Sequence, residues 1–201
     1  MREKRIIKVL CLLLCCSFSQ GLDGQVDPEW LSMWNEAKET MPLEVDSESR
    51  IATVDEAGIP FDIIGKLYNP DGTLAKNVIL HAYHRDDMGF DFGKDDEATS
   101  TWRLQGWAKT DANGAFVFHT IRPAGDHLGR EGAHIHFTIV SEAYGNQWPP
   151  KVFLADDPDV TLSQHDRSKQ LGKFGWVCEV VKMPDLQTMT VNLKLREKGD
   201  F

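Results

Sequence analysis

Cysteine, positive charge and long apolar runs are all scarce in this chain, and each shortage excludes something. Three of its four cysteines, Cys11, Cys15 and Cys16, crowd into the first 16 of 201 residues. Beyond them Cys178 stands alone, which rules out an internal disulfide or a cysteine-built metal cluster in the remainder. The 22 Lys and Arg are outnumbered by 31 Asp and Glu, giving a formal net charge of −9. Nucleic acid and anionic membrane surfaces are therefore poor partners. Residues 9–18 form an almost purely apolar run, too short to span a bilayer. Tyrosine is also sparse: only Tyr68, Tyr83 and Tyr144 are present.

What stands around the apolar run gives it a meaning. Arg2, Lys4, Arg5 and Lys8 precede or enter it, and the small residues Ser19 and Gly21 follow, the order of an export signal over residues 1–21 with a cut expected before Leu22. A secreted or periplasmic location follows. The alternative is a lipid carried at Cys15 or Cys16, against which no small residue precedes Cys16. Four basic residues and one acidic one leave with the signal, so the net charge of −9 becomes −12.

Residues 22–57 read as a helix and an arm. Asp27-Pro28-Glu29 is a helix opening, a capping carboxylate followed by proline in the first turn, and Trp30, Trp34, Ala37 and Met41 follow at helical spacing up to Pro42. From Glu44 to Ala57 the sequence is polar and without sustained period, a linker or an arm laid over the domain. From Gly58 to Phe201 the texture changes. Short apolar or alternating stretches at 61–67, 78–83, 115–120, 134–140, 151–154 and 189–195 predict strands. Asn69-Pro70-Asp71-Gly72 and Asp111-Ala112-Asn113-Gly114 read as hairpin turns. Many short strands and few helices predict one all-β domain, an antiparallel β-sandwich with a short N-terminal helix.

Within one of these strands His134 and His136 sit two apart, so both imidazoles project from the same face with Cα atoms roughly 6–7 Å apart, within reach of one metal ion. A bare pair of this kind is more often two histidines bonded to backbone or water. Here its surroundings add to it. Gly58-Ile59-Pro60, Ile64-Gly65-Lys66-Leu67, Asn69-Pro70-Asp71-Gly72, Arg103-Leu104-Gln105-Gly106, Thr110-Asp111-Ala112-Asn113-Gly114, Thr120-Ile121-Arg122-Pro123 and Gly132-Ala133-His134-Ile135-His136-Phe137 follow one another in order. In this order they resemble the text of the intradiol ring-cleavage dioxygenases, over about residues 58–195.

That resemblance implies a β-sandwich holding a non-haem ferric ion with two tyrosines and two histidines, and cleaving catechols between the two hydroxyl-bearing carbons. His134 and His136 fall on the histidine positions. The tyrosines do not carry over, since Gly89-Phe90-Asp91 and Pro123-Ala124-Gly125-Asp126 place aspartate where the family has tyrosine. The family's arginine before the histidines falls on Glu131, with Arg130 beside it as a candidate catalytic residue. Two imidazoles with Asp91 and Asp126 would form a hard N/O site for Fe3+ or, given the missing tyrosines, Fe2+, Mn or Zn.

Two functions are therefore expected of the sequence. The first is an exported ring-cleavage enzyme acting on a small aromatic diol and O2, with His134, His136, Asp91 and Asp126 as metal ligands and a homodimer as the assembly the family suggests. The second is a homologue that has lost the reaction and serves as a secreted binding or structural module, which the absent tyrosines and arginine favour. Trp102, Trp107 and Trp148 are taken as core residues without a site role.

Overall fold

The alternation that predicts strands also sorts the chain into two sheets. A computed structural model describes residues 26–93 and 99–201; the expected signal, residues 1–21, lies outside them. Helix α1 covers Pro28–Glu39 and helix α2 Leu162–Gln170. The strands are β1 (Glu48–Arg50), β2 (Pro60–Tyr68), β3 (Ile79–His84), β4 (Leu104–Lys109), β5 (Ala115–Ile121), β6 (His134–Ser141), β7 (Gly145–Gln147), β8 (Val152–Leu154), β9 (Val177–Cys178), β10 (Val180–Lys182) and β11 (Gln187–Lys194). One sheet runs β1-β5-β2-β11-β10, the other β4-β3-β6-β8-β9 with β7 beside β6. No helix among the described residues is long and apolar enough to cross a membrane.

The sheets are mixed and not purely antiparallel as expected. β1 with β5, β2 with β11, and β8 with β9 pair in parallel. Each of these partners is separated by a long stretch of chain, and parallel pairing needs such a crossover. Between β8 and β9 the crossover contains α2, opened by a capping box in which Thr161 and Gln164 bond reciprocally. Neither expected hairpin turn joins neighbouring strands of one sheet. Asp111–Gly114 turns as its residues require, with Gly114 at φ +65°. It carries the chain from β4 in one sheet to β5 in the other and closes no hairpin within a sheet. Asn69–Gly72 supports only a single bridge, Tyr68 with Leu74, before the chain crosses to β3.

Inward residues from both sheets share one apolar cluster: Phe61, Ile63, Phe116 and Phe118 from the first, Leu80, Ile135, Phe137 and Ile139 from the second. The Phe137 ring lies 6.1 Å from Phe116 and 6.4 Å from Phe118. Gly65, opposite Phe116 in the β2–β5 register, has no room for a side chain, because a Cβ there would fall 2.0 Å from the Phe116 ring.

The outer face of the second sheet is covered by α1. Asp27 caps it through the Glu29 N–H at 3.0 Å, as read from the sequence. The helix stops at Glu39, three residues short of Pro42, because Thr40 turns its hydroxyl back onto the Ala37 carbonyl at 2.7 Å. Trp34 and Ala37 then pack with Tyr83, Trp102 and Trp107 in a second apolar cluster.

The stretch expected as a linker or an arm laid over the domain contains β1, an edge strand paired with β5 and clamped by His119. The His119 ring bonds Asp62 through Nδ1 at 2.7 Å and Glu48 through Nε2 at 2.8 Å. Burial works against its protonation, but the hydrogen bonds to the two carboxylates outweigh it and raise the pKa above the ordinary 6.5. A raised histidine pKa stabilises the fold fully below the unfolded value and loses that contribution as pH climbs through the folded one. The gap in Tm between the natural protein and His119→Gln is therefore expected to be widest below the ordinary histidine value of 6.5 and to narrow as pH rises above it. Thermal unfolding on both sides of that value checks it, and a gap that stays constant would remove the clamp.

Candidate functional site

Alternation along β6 sends Ile135, Phe137 and Ile139 into the shared core and His134 and His136 to the opposite, outer face. There the two Nε2 atoms come within 2.9 Å of each other. His134 Nδ1 lies 2.8 Å from the Gly132 carbonyl, an acceptor only, so in the neutral ring Nδ1 carries the proton and Nε2 presents a lone pair. The register sets Tyr83 opposite His136, and the two rings stack with centroids 4.6 Å apart and planes within 5°.

Both imidazoles are held neutral. Burial pushes His136 well below the ordinary histidine range, with His134, Lys151 and Arg85 adding to it. Burial likewise lowers His134, against the opposing pull of the Gly132 carbonyl and Glu131. Neutral imidazole is the form that ligates a metal.

The carboxylate that reaches the pair is Glu131, whose Oε2 stands 3.7 Å from His134 Nε2. Lys151 Nζ donates to both of its oxygens, at 2.7 and 2.8 Å. Asp91 and Asp126, expected as ligands, are engaged elsewhere. Arg85 Nε donates to Asp91 at 3.1 Å, and Arg130 Nε to Asp126 at 2.8 Å. The Leu128 N–H and Arg130 hold the Asp126 carboxyl below its usual range. Among the described residues no group of three or more His, Cys, Asp or Glu side chains is gathered to hold a metal. The four-residue shell is thus not assembled, because two guanidinium groups claim its two carboxylates. Arg130 itself, with its side chain 69% exposed, lines a polar hollow of about 450 Å³ with Arg85, Asp126 and Glu131.

His136 opens instead on a cleft of about 530 Å³ walled by Asp27, Trp30, Tyr83, Trp148 and Lys151. Tyr83 is sandwiched between His136 and Trp102, the latter at 3.8 Å, and its hydroxyl accepts from Trp30 Nε1 at 3.4 Å. Burial pushes its pKa up to about 12, which keeps it a neutral phenol. Trp102 and Trp107 are core residues, as read, whereas Trp148 is a cleft wall.

Glu131, Lys151 and Trp30 were not read as a site from sequence. The β6–β8 pairing of His134 with Phe153 brings Lys151 towards His136, but that register is not written in local spacing. Glu131 stands three residues before His134, where the linear sequence shows only a departure from the family's arginine.

Fold and geometry define the class first: a two-sheet β protein with an imidazole pair on an outer sheet face beside an aromatic cleft. The chain belongs to the intradiol ring-cleavage dioxygenase family, and the family description Dioxygenase matches residues 38–170. It is similar to catechol 1,2-dioxygenase 1 of Acinetobacter lwoffii, 31% identical over 106 residues, 44% of this chain and 34% of that enzyme. Catechol 1,2-dioxygenase 2 of the same organism is 24% identical over 115 residues, covering 49% of this chain and 42% of the enzyme. The matched segments thus span well under half the length of these relatives. Among solved structures, mercury-inhibited catechol 1,2-dioxygenase of Acinetobacter sp. ADP1 shares the fold at TM-score 0.57 and 21% identity, over 83% of this chain and 68% of that one. The dioxygenase domain of a carbohydrate-binding fusion from Streptomyces sp. SirexAA-E does so at TM-score 0.54 and 19% identity, over 78% and 94%.

Proposed function

We propose that this protein is an exported, metal-dependent sandwich enzyme of its family that cleaves a catechol-type aromatic between the two hydroxyl-bearing carbons. The observation that carries the reading is the 2.9 Å approach of two neutral imidazoles, one of which, His136, lines an aromatic cleft. In the neutral pair His136 Nε2–H can donate to the His134 Nε2 lone pair, and a cation taking the place of that proton would be reached by both nitrogens. The pair therefore fits a metal, with His134 and His136 as the residues that would hold it: non-haem iron from the family, with Mn or Zn compatible with the same donors. Bound there, the metal would supply Lewis-acid charge to polarise the diol and O2.

The chain's own residues supply the rest. Trp30 and Trp148 offer aromatic surface to a ring and exclude water from it. Glu131, fixed by Lys151, stands beside His134 as an acceptor for a diol hydroxyl proton. Both atoms of O2 enter the ring-opened product, a diacid, so no further reductant is needed.

The engagement of Asp91 and Asp126 by arginines favours a second reading, in which the imidazoles share a proton and the domain only binds. One experiment separates the two. Protein loaded with iron or manganese is expected to take up one equivalent of O2 per catechol and release the diacid, followed with an oxygen electrode and by product absorbance. Absence of both bound metal and uptake leaves the binding module.

A further inference from the structure

We infer that the cleft selects an aromatic diol carrying a cationic substituent, with Asp27 as the residue that sets this preference. The inference rests on the proposed function, whose site it describes more closely.

Its basis is the balance of charge around the histidines. Arg85 pairs with Asp91, Arg130 with Asp126, and Lys151 with Glu131. Each of these three pairs is neutral, and a metal held by the histidines would be engaged by the diol oxygens. Lys151 is the cation on the cleft wall, and its ammonium is already spent on both oxygens of Glu131. A carboxylate on the ring's substituent would find no unspent side-chain cation on the cleft wall.

Asp27 is the charge left over. It lines the same cleft, is exposed, and among the described residues makes no ion pair; its Oδ1 caps α1 by accepting from the Glu29 N–H. An anion at the rim of a pocket walled by the indoles of Trp30 and Trp148 is the arrangement that attracts an ammonium group, through charge and through the aromatic surface alike. The preferred substrate class is then a catechol with an amine-bearing side chain, ahead of a neutral alkylcatechol, and a carboxylated catechol comes last.

Three probes of similar size test this by isothermal titration of the metal-loaded full chain without O2: 4-(2-aminoethyl)catechol, 4-ethylcatechol and 3,4-dihydroxyphenylacetate. The amine is expected to bind about five-fold tighter than the neutral probe, the scale of an exposed ion pair, and the acid weaker than either. Asp27→Asn keeps the helix cap, since asparagine caps as well as aspartate. That variant should bring the amine down to the neutral probe and leave 4-ethylcatechol unchanged. Equal affinities, tighter binding of the acid, or an amine preference that survives in Asp27→Asn would overturn the inference while the proposed function stands. If 4-ethylcatechol itself fails to bind, both fall together.

Discussion

His134→Ala should abolish metal uptake and leave the two sheets folded. The side chain lies on the outer face of β6, while the inward neighbours Ile135 and Phe137 stay in the shared core. Truncation removes one of two imidazole donors and the Gly132 bond that orients it. Losing an outer-shell partner costs roughly 10–100-fold in metal affinity, and losing a ligand itself should cost more. Titration of iron or manganese into the purified variant measures the loss, with circular dichroism recording the fold, and His136→Ala should behave alike. Unchanged affinity in a folded variant would locate the metal elsewhere.

Phe116→Ala should be the converse, a large loss of stability at a distance from the histidines. Phe116 is 1% exposed, its ring covers Gly65, and it touches Phe118 and, across the gap between sheets, Phe137. Emptying such a site costs about 3–5 kcal/mol, from lost burial and from the cavity left behind. Equilibrium unfolding in urea checks the value. A change below about 1 kcal/mol would mean that the two sheets do not depend on this ring.

Parts of this were legible in the residues. Period-two alternation marked β2, β5 and β6 to within a residue or two, and the spacing of His134 and His136 placed both rings on one face. The cap at Asp27 was equally plain. Other parts depend on which strands meet. The β2–β11 pair joins segments more than a hundred residues apart, and nothing in either strand states the direction of pairing. Helix α2 was missed because its sequence, LSQHDRSKQ, is nearly all polar and leaves no apolar stripe to read, although its capping box is present.

The site shows the same division. Asp91 and Asp126 fall on the family's tyrosine positions in linear order. Their fate is decided by Arg85 and Arg130, whose side chains reach them first. Charge partners of this kind follow from side-chain direction and loop geometry, which a linear pattern does not carry. Glu131 and Lys151 meet because the chain returns through β8 beside β6.

Strand β6 keeps two accounts on alternate residues. Odd positions anchor the fold and the even positions 134 and 136 carry the imidazole pair, so each set can change while the other holds still. A lineage that traded ligands at 134 and 136 would face little structural resistance, which is one physical route by which a single scaffold could drift between metals, or away from metal altogether.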